Sequence, residues 1–570
     1  MKYRAILKVL LSIITLITLS TSSLYAMAEA DAATINSKIS SYTSKRYRAS
    51  VKALYATNAN HAFWTEESNK ARFSQLLDAL GDPLFNYNYI SFNQDKIIDL
   101  TFDIDSGVIP SAQIPNAVAK LDIMLTESYL QLIRFIRVGS TDWGLVKRKL
   151  KGLKAAQDVR ATWEIHPKGM PSATSISGSI KSGKIKSYLI SMIPMIKEYR
   201  TLVKILEKYR AMPNFRKIPY GKILKPRRQD SRIRDIKKLL QFTGDFPRNA
   251  STGTGYGKDF GRAIQSFKER FNLTRGNYID NKTINYLNTS KEEYIRKILI
   301  NLEMLRLQPR AFESSHVEIN IPEFKLRYYH KNSLIFSSDI IVGRIDRPTP
   351  IFSDKIKYMV LNPTWTITNN LVKRDLIPVL KKHPNYLRKH NIKAYSGSKS
   401  VTPNLKKLFK YEHKKGGVPY RFVQGPGVSN ALGKVKFMFP NKYAVYLHDT
   451  DNKTLFKHRY RVYSSGCMRV EKPFKFMDEL ISNAGANISK SKIKSVFASN
   501  KPTTVLLKKP VPLHIVYRTV KKVSKKIYFM YDVYMYDQIV WESMSGHKKS
   551  TFRVPKKRLT KIERIGSRIR

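Results

Sequence analysis

Apolar positions set the first division of the chain. Leu121, Ile123, Met124 and Leu125 continue through Leu130, Ile133 and Phe135 at the spacing of a helical stripe. The whole stretch 35–219 reads as a mainly helical scaffold domain whose aromatic stripes are core. A smaller helical unit follows over 227–290. There Ile233, Ile236 and Leu240 share one helix face, and Ile264, Phe267 and Phe271 share another. The Gly/Ser/Thr-rich stretch Asn249–Gly257 between them is longer than so small a unit needs. A helical link over Lys291–Leu307 then gives way to β-type pattern. Val317–Asn320, Lys325–Tyr329 and Leu334–Val342 alternate or run β-branched between turns at Ile321-Pro322-Glu323 and His330-Lys331-Asn332. A β-rich domain is therefore predicted over 301–512. It is interrupted at 366–427 by a polar, lysine-rich insertion with helical patches such as Lys373–Leu380. Insertions of this length are lids, binding loops or passive decoration. Thr503–Leu507, Leu513–Val516 and the aromatic Tyr528–Tyr536 predict closing strands, the last two within 513–546. The expected class is multidomain α+β.

Composition adds a compartment. The 570 residues are too many for one core and suggest three or so domains. Lys2, Arg4 and Lys8 precede the largely apolar run Val9–Leu19, and small-residue sites such as Ala26-Met27-Ala28 follow. Residues 1–28 thus read as a secretory signal. The apolar run is shorter than the ~20 residues of a bilayer span, which favours cleavage over anchoring. Export with a single cysteine leaves each domain to hold by burial, with no internal disulfide. The net charge of +60 has two readings: steering toward an anionic envelope surface, or a general lysine bias. The Lys/Arg-rich end, 547–570, is a solvated tail or a contact to such a surface. Nucleic acid fits the charge, but no reader motif is present and export separates the two.

The chemistry concentrates at the one thiol. Cys467 lies in Ser464-Ser465-Gly466-Cys467-Met468-Arg469-Val470, and His448 lies in Tyr446-Leu447-His448-Asp449-Thr450. A lone cysteine is usually a small buried hydrophobe and a lone histidine is usually structural. Here a glycine-bearing turn exposes the sulfur, and a histidine 19 positions upstream can serve as its base if two strands bring it alongside. His458 is a rival base, set between Lys457 and Arg459 in an expected loop. No His/Cys/Asp ligand cluster appears, so neither metal nor cofactor is expected.

The segment Tyr446–Val470 resembles the active-site signature of the L,D-transpeptidase (YkuD-type) family: a His, a spacer of under twenty residues, then Ser/Thr-X-Gly-Cys-X-Arg. Many members carry a second histidine where this chain has Ser465, and the large multidomain YcbB-like branch tends to have serine there. Ala62-Phe63-Trp64 resembles the start of that branch's scaffold. Phe260–Phe267 with Phe271-Asn272-Leu273 and Asp280–Thr283 resembles a small peptidoglycan-binding domain. Val342-Gly343-Arg344 to Arg347-Pro348-Thr349-Pro350, Val360–Trp365 and Asn430–Phe437 are similar to the family's catalytic β-domain.

The resemblance implies a transferase that attacks a peptidoglycan tetrapeptide stem through a Cys467 thioester, releases D-Ala and forms a 3→3 cross-link. An L,D-carboxypeptidase, a non-catalytic wall-binding scaffold and a protein-cleaving cysteine peptidase are the alternatives. His448 would be the base, and the Asp449 carbonyl would orient it. The N–H groups of Gly466 and Cys467, with the Tyr446 hydroxyl, would form the oxyanion hole. Ser465 stands where a second imidazole would otherwise lie. Arg469 would fix the turn or a substrate carboxylate, and Trp365 would contact the donor peptide or seal the core. The insertion 366–427 would cap the cleft. Peptidoglycan stems are the expected partners, with an anionic envelope surface and wall-synthesis enzymes beyond them. The expected location is the periplasm, with a thiol open to carbapenems and a role in wall remodelling and cell shape.

Overall fold

The computed structural model describes residues 30–544, apart from 67–68 and 158–160. The signal-like segment 1–28 and the basic end 547–570 lie outside the described residues. The chain separates into two compact units.

The first comprises the described residues up to Thr141, with His166–Ala211 and Ile298–Ala311. Its centre is the helix Ile114–Arg137, buried on most of its circumference. A helix so enclosed must pair every polar group it carries. Asp122, fully buried, accepts from Tyr55 Oη at 2.5 Å and from the N–H groups of Phe63, Trp64 and Thr65 at 2.8–3.0 Å. The Thr65 hydroxyl adds a fifth bond at 3.0 Å. Trp64 Nε1 donates to Thr126 Oγ1 at 2.9 Å. The Phe63-Trp64 pair is thus held by a carboxylate on the central helix.

The second unit holds Asp142–Ile165, Met212–Lys297 and everything from Phe312. Asp142–Ile165, inside the stretch 35–219, is thus grouped with the second unit. The cause is aromatic. Trp163 stacks on Tyr536 at 5.7 Å, meets Trp143 edge-on and forms a bridge to Ile351. The helices Arg232–Thr243, Lys258–Arg270 and Asn281–Leu287 form the small helical module. Its buried Arg270 pairs with Asp245 and donates to the Ile527 carbonyl at 2.6 Å, while Phe271 stacks on Phe529.

The strands are β1 (His316–Asn320), β2 (Lys325–His330), β3 (Ser333–Gly343), β4 (Ser353–Leu361), β5 (Trp365–Ile367), β6 (Ile392–Ser396), β7 (Lys399–Val401), β8 (Arg421–Gln424), β9 (Val435–Met438) and β10 (Leu447–His448). After them come β11 (Val462–Ser464), β12 (Met468–Val470), β13 (Thr503–Val516), β14 (Val520–Val523) and β15 (Lys526–Phe529). The main sheet runs β11-β3-β12-β10-β9-β4-β13-β1-β2, and a β2–β3 pairing closes the order on itself. β11 lies outside this closure, paired with β3 alone. The helix Pro473–Ala484 packs on the apolar side, with Phe476 against Phe437 at 4.8 Å and Phe336 at 5.5 Å.

The insertion builds a separate four-stranded sheet, β5-β8-β6-β7, over its own core of Val372, Ile377, Leu380, Leu408 and Phe422 among others. The helical patch at Lys373–Leu380 is a π-helical turn, Val372–Leu376, followed by the helix Ile377–Lys382. In the closing region β13 carries both Thr503–Leu507 and Leu513–Val516 as expected, but the aromatic segment Tyr528–Tyr536 departs from a strand. β15 ends at Phe529, and Tyr536–Trp541 is a helix. Asp532 accounts for the change: it accepts from Tyr517 Oη at 2.6 Å and from the N–H of Gln538 at 3.2 Å, so it holds a turn where alternation suggested strand.

Asp122→Ala should destabilise the first unit by at least about 3 kcal/mol, since several buried donors lose their acceptor. Asp122→Asn, which keeps one acceptor oxygen, should fall between parent and Ala in thermal unfolding followed by circular dichroism.

Candidate active site

Strand register assembles the site. β10 runs parallel to β12 with Leu447 opposite Met468 and His448 opposite Arg469. It runs antiparallel to β9 with His448 opposite Lys436. Successive side chains alternate between faces, and paired residues share one. Leu447, Met468 and Phe437 are fully buried in the core. His448, Arg469 and Lys436 therefore occupy the other face. One residue back along the parallel pair, where the Met468 N–H bonds the Tyr446 carbonyl at 3.1 Å, Tyr446 and Cys467 lie side by side on that same face. The long sequence spacing between histidine and thiol thus becomes adjacency on neighbouring strands.

His448 is 4% exposed, and its Nδ1 lies 2.5 Å from the Asp449 carbonyl oxygen. A carbonyl only accepts, so Nδ1 carries the proton and Nε2 keeps its lone pair. Burial, then the Arg469 charge, with Lys453 and Lys436 adding to them, pushes the imidazole down to about 3; the Asp449 carbonyl opposes this. The ring is neutral at physiological pH. Asp449 also pins its own surroundings. Its carboxylate accepts from the Lys434 N–H at 2.9 Å and pairs with Lys453. A Cβ at Gly433 would meet that carboxylate at 2.3 Å, so only glycine fits there.

Cys467 is half-buried, and burial pushes its thiol up to about 11. Hydrogen bonding from Tyr446 and the charges of Arg469 and Lys436 act the other way. Tyr446 acts on the thiol first through its backbone and then through its hydroxyl, and among the described residues no hydrogen bond joins Sγ to His448. At rest the pair is a neutral thiol and a neutral imidazole. Arg469 has a buried Nε without a hydrogen-bond partner, and burial lowers its pKa first of all.

The turn itself is held from behind. Gly466 has φ +114°, a conformation that favours glycine. Its N–H is donated to Ser464 Oγ at 3.2 Å, which corrects the expected pair of N–H donors for an oxyanion. The Gly466 carbonyl accepts from Thr349 Oγ1 at 2.9 Å. In a planar trans peptide this aims the Cys467 N–H the opposite way, so Thr349 sets the direction of the donor that remains. Thr349 is in turn fixed by Tyr534, whose hydroxyl accepts from the Thr349 N–H at 3.1 Å and donates to the Gly343 carbonyl at 2.8 Å.

The other candidates fall as follows. Ser465 is exposed, and its hydroxyl accepts from Arg347 Nη1 at 2.9 Å. Trp365 packs on the insertion's own core, the sealing alternative. His458 is exposed and packs edge-on to Tyr463 at 5.8 Å, away from the role of base. Lys436, Thr349, Arg347 and Tyr534 were not foreseen as site residues. Register exposes Lys436, but nothing local in the sequence marks Tyr534.

A separate cleft of about 540 Å³ opens in the small helical module, lined by Arg227, Arg228, Lys237, Tyr256 and Lys258 among others. Lys237 is 7% exposed, donates to the Gly253 carbonyl at 2.9 Å and lies 5.6 Å from the Phe260 ring centre. Among the described residues no helix is long and apolar enough to cross a membrane, and no group of three His, Cys, Asp or Glu could hold a metal.

The model of the L,D-transpeptidase catalytic domain, YkuD, matches residues 314–488, and that of a scaffold domain matches 49–206. A curated protein of Haemophilus influenzae, whose name assigns it to the L,D-transpeptidases without settling its activity, is 35% identical over 254 residues. The match covers 44% of this chain and 50% of that one, so the chain spans about half the length of the curated relative it matches. Among solved structures, an L,D-transpeptidase from Xylanimonas cellulosilytica is 10% identical, covering 52% of this chain and 99% of its own, at a TM-score of 0.18. One from Stackebrandtia nassauensis is 12% identical, covering 54% and 97%, also at 0.18. Superpositions this loose carry no argument about the site.

Two outcomes test the site. Folded His448 binds fewer protons than unfolded between about pH 3 and its ordinary value of 6.5, so its contribution makes stability fall as pH drops through that window. His448→Gln should flatten this acid limb in urea unfolding at pH 5 and 7. Thr349→Val should lower turnover by up to ~100-fold, the scale of a small misplacement, with substrate KM nearly unchanged.

Proposed function

Given that residues 314–488 are a YkuD-type L,D-transpeptidase catalytic domain, we propose that the protein is an exported, cysteine-dependent enzyme that forms 3→3 cross-links in peptidoglycan. The observation that carries this reading is the shared sheet face of Cys467, Tyr446, His448 and Arg469. The donor is a tetrapeptide stem with a diamino acid at its third position and D-Ala at its fourth. Its carboxylates suit Arg469, whose buried Nε has no partner among the described residues.

His448 Nε2 takes the thiol proton as Cys467 Sγ bonds to the carbonyl carbon of the L,D bond. The oxyanion is met by the Cys467 N–H and the Tyr446 hydroxyl; a donor of this kind is worth ~3 kcal/mol of barrier. The C–N bond breaks, the D-Ala amine leaves with the proton held by His448, and a thioester remains. The amine of a neighbouring stem then attacks, gives a proton to His448 and breaks the C–S bond, and the proton returns to sulfur. Water in place of that amine would give a tripeptide. A structured insertion joined to the catalytic turn favours amine over water, because cross-linking needs a sheltered thioester. The cationic, aromatic cleft at Arg227–Phe260 is read as a seat for wall strands.

Incubation of the purified protein with a disaccharide-tetrapeptide, followed by mass spectrometry, should give a dimer lacking one D-Ala. Tripeptide alone would make it a carboxypeptidase, and normal turnover by Cys467→Ala or His448→Ala would sink the mechanism. Because the resting thiol titrates high, iodoacetamide should modify Cys467 faster as pH rises from 7 toward about 11. A rate already at its plateau near pH 7 would indicate a resting thiolate.

A further inference from the structure

The insertion is a module with its own sheet and core, and one guanidinium ties it to the catalytic turn. Arg347 lies in the loop between β3 and β4 and is 7% exposed. Its Nη1 donates to Asp375 Oδ2 at 2.6 Å and to Ser465 Oγ at 2.9 Å, and its Nη2 reaches Asp375 Oδ1 at 3.3 Å. Asp346 lies 3.4 Å from its Nε. Asp375 belongs to the insertion, on the π-helical turn Val372–Leu376; such turns often mark functional positions. Ser465 immediately precedes Gly466 and the nucleophile. The Arg347 and Pro348 carbonyl oxygens both lie 3.9 Å from where a Gly466 Cβ would stand, so the same loop packs against the turn.

A two-toothed guanidinium–carboxylate pair fixes direction as well as distance, which a point charge does not. An insertion displaced by an ångström or two would break the fork, and the group released would be the one that also orients Ser465. We propose that Arg347 is a positioning residue that couples the seating of the insertion on Asp375 to the attitude of the Ser465-Gly466-Cys467 turn. The thiol is held for attack while Asp375 is docked, and is freed and uncovered when it is not. This rests on the transpeptidase reading for its consequence in turnover, but the latch itself can be read without a stem substrate.

The test uses Arg347→Lys, Asp375→Asn, Arg347→Asp alone and the charge-exchanged pair Arg347→Asp/Asp375→Arg in the full protein. Three readouts are taken: kcat and KM on the disaccharide-tetrapeptide, the rate at which iodoacetamide modifies Cys467, and thermal unfolding. Asp375→Asn should lower kcat about tenfold with KM changed less than about twofold, while alkylation speeds up at least about threefold. Arg347→Lys, which keeps the charge but loses the fork, should behave alike. The exchanged pair should recover alkylation and kcat toward the parent by at least about threefold relative to Arg347→Asp alone, a coupling that general destabilisation would not produce. Parental alkylation rates in Asp375→Asn and Arg347→Lys would overturn the latch, as would an exchanged pair no better than Arg347→Asp. Should the parent turn over no stem at all, the transpeptidase reading fails while alkylation still decides the latch.

Discussion

Everything at the candidate site depends on one short parallel pairing, Leu447-His448 against Met468-Arg469. Two residue pairs set which side chains face the core and which face the chemistry. A slip of one residue would bury the histidine's partners and expose Leu447 and Met468, which are fully buried. The apolar face therefore enforces the reactive one. The helix carrying Phe476, packed on Phe437, keeps the register from the core side.

The electrostatics follow from that placement. Burial acts on both reacting groups in the direction of neutrality, raising the thiol and lowering the imidazole. Lys436 and Arg469 share the face; they favour the thiolate and disfavour imidazolium, so they oppose burial at the thiol and add to it at the imidazole. A resting neutral thiol resists oxidation, because the thiolate is the form that oxidises. Under the proposed mechanism ionisation waits for the substrate, and hydrogen bonds missing from a free enzyme commonly tighten at that stage.

Much of this was legible in the chain. The Tyr446–Val470 motif singled out Cys467 and His448, and register then placed the two on one sheet face across the interval between them. The stripe from Leu121 to Phe135 lies within Ile114–Arg137, and the strands around Val317, Lys325 and Leu334 lie within a residue or two of their expected bounds. What was not legible is long-range. Tyr534 reaches Gly343 across 191 positions, and no local pattern announces such a bond. The aromatic run Tyr528–Tyr536 alternates like a strand, yet Asp532 turns it and Tyr536 opens a helix. The Gly466 N–H was expected to face an oxyanion, but the neighbouring Ser464 hydroxyl claims it. In each case a single polar partner, invisible to periodicity, overrode a sound local inference.

The most direct test of the account is to quench the protein during reaction with a tetrapeptide stem and map the acylated residue by mass spectrometry of its peptides. The account predicts one adduct, the stem less D-Ala, on the peptide containing Cys467, and its loss in His448→Ala. An adduct on another residue, or an undiminished Cys467 adduct without His448, would contradict the shared-face mechanism.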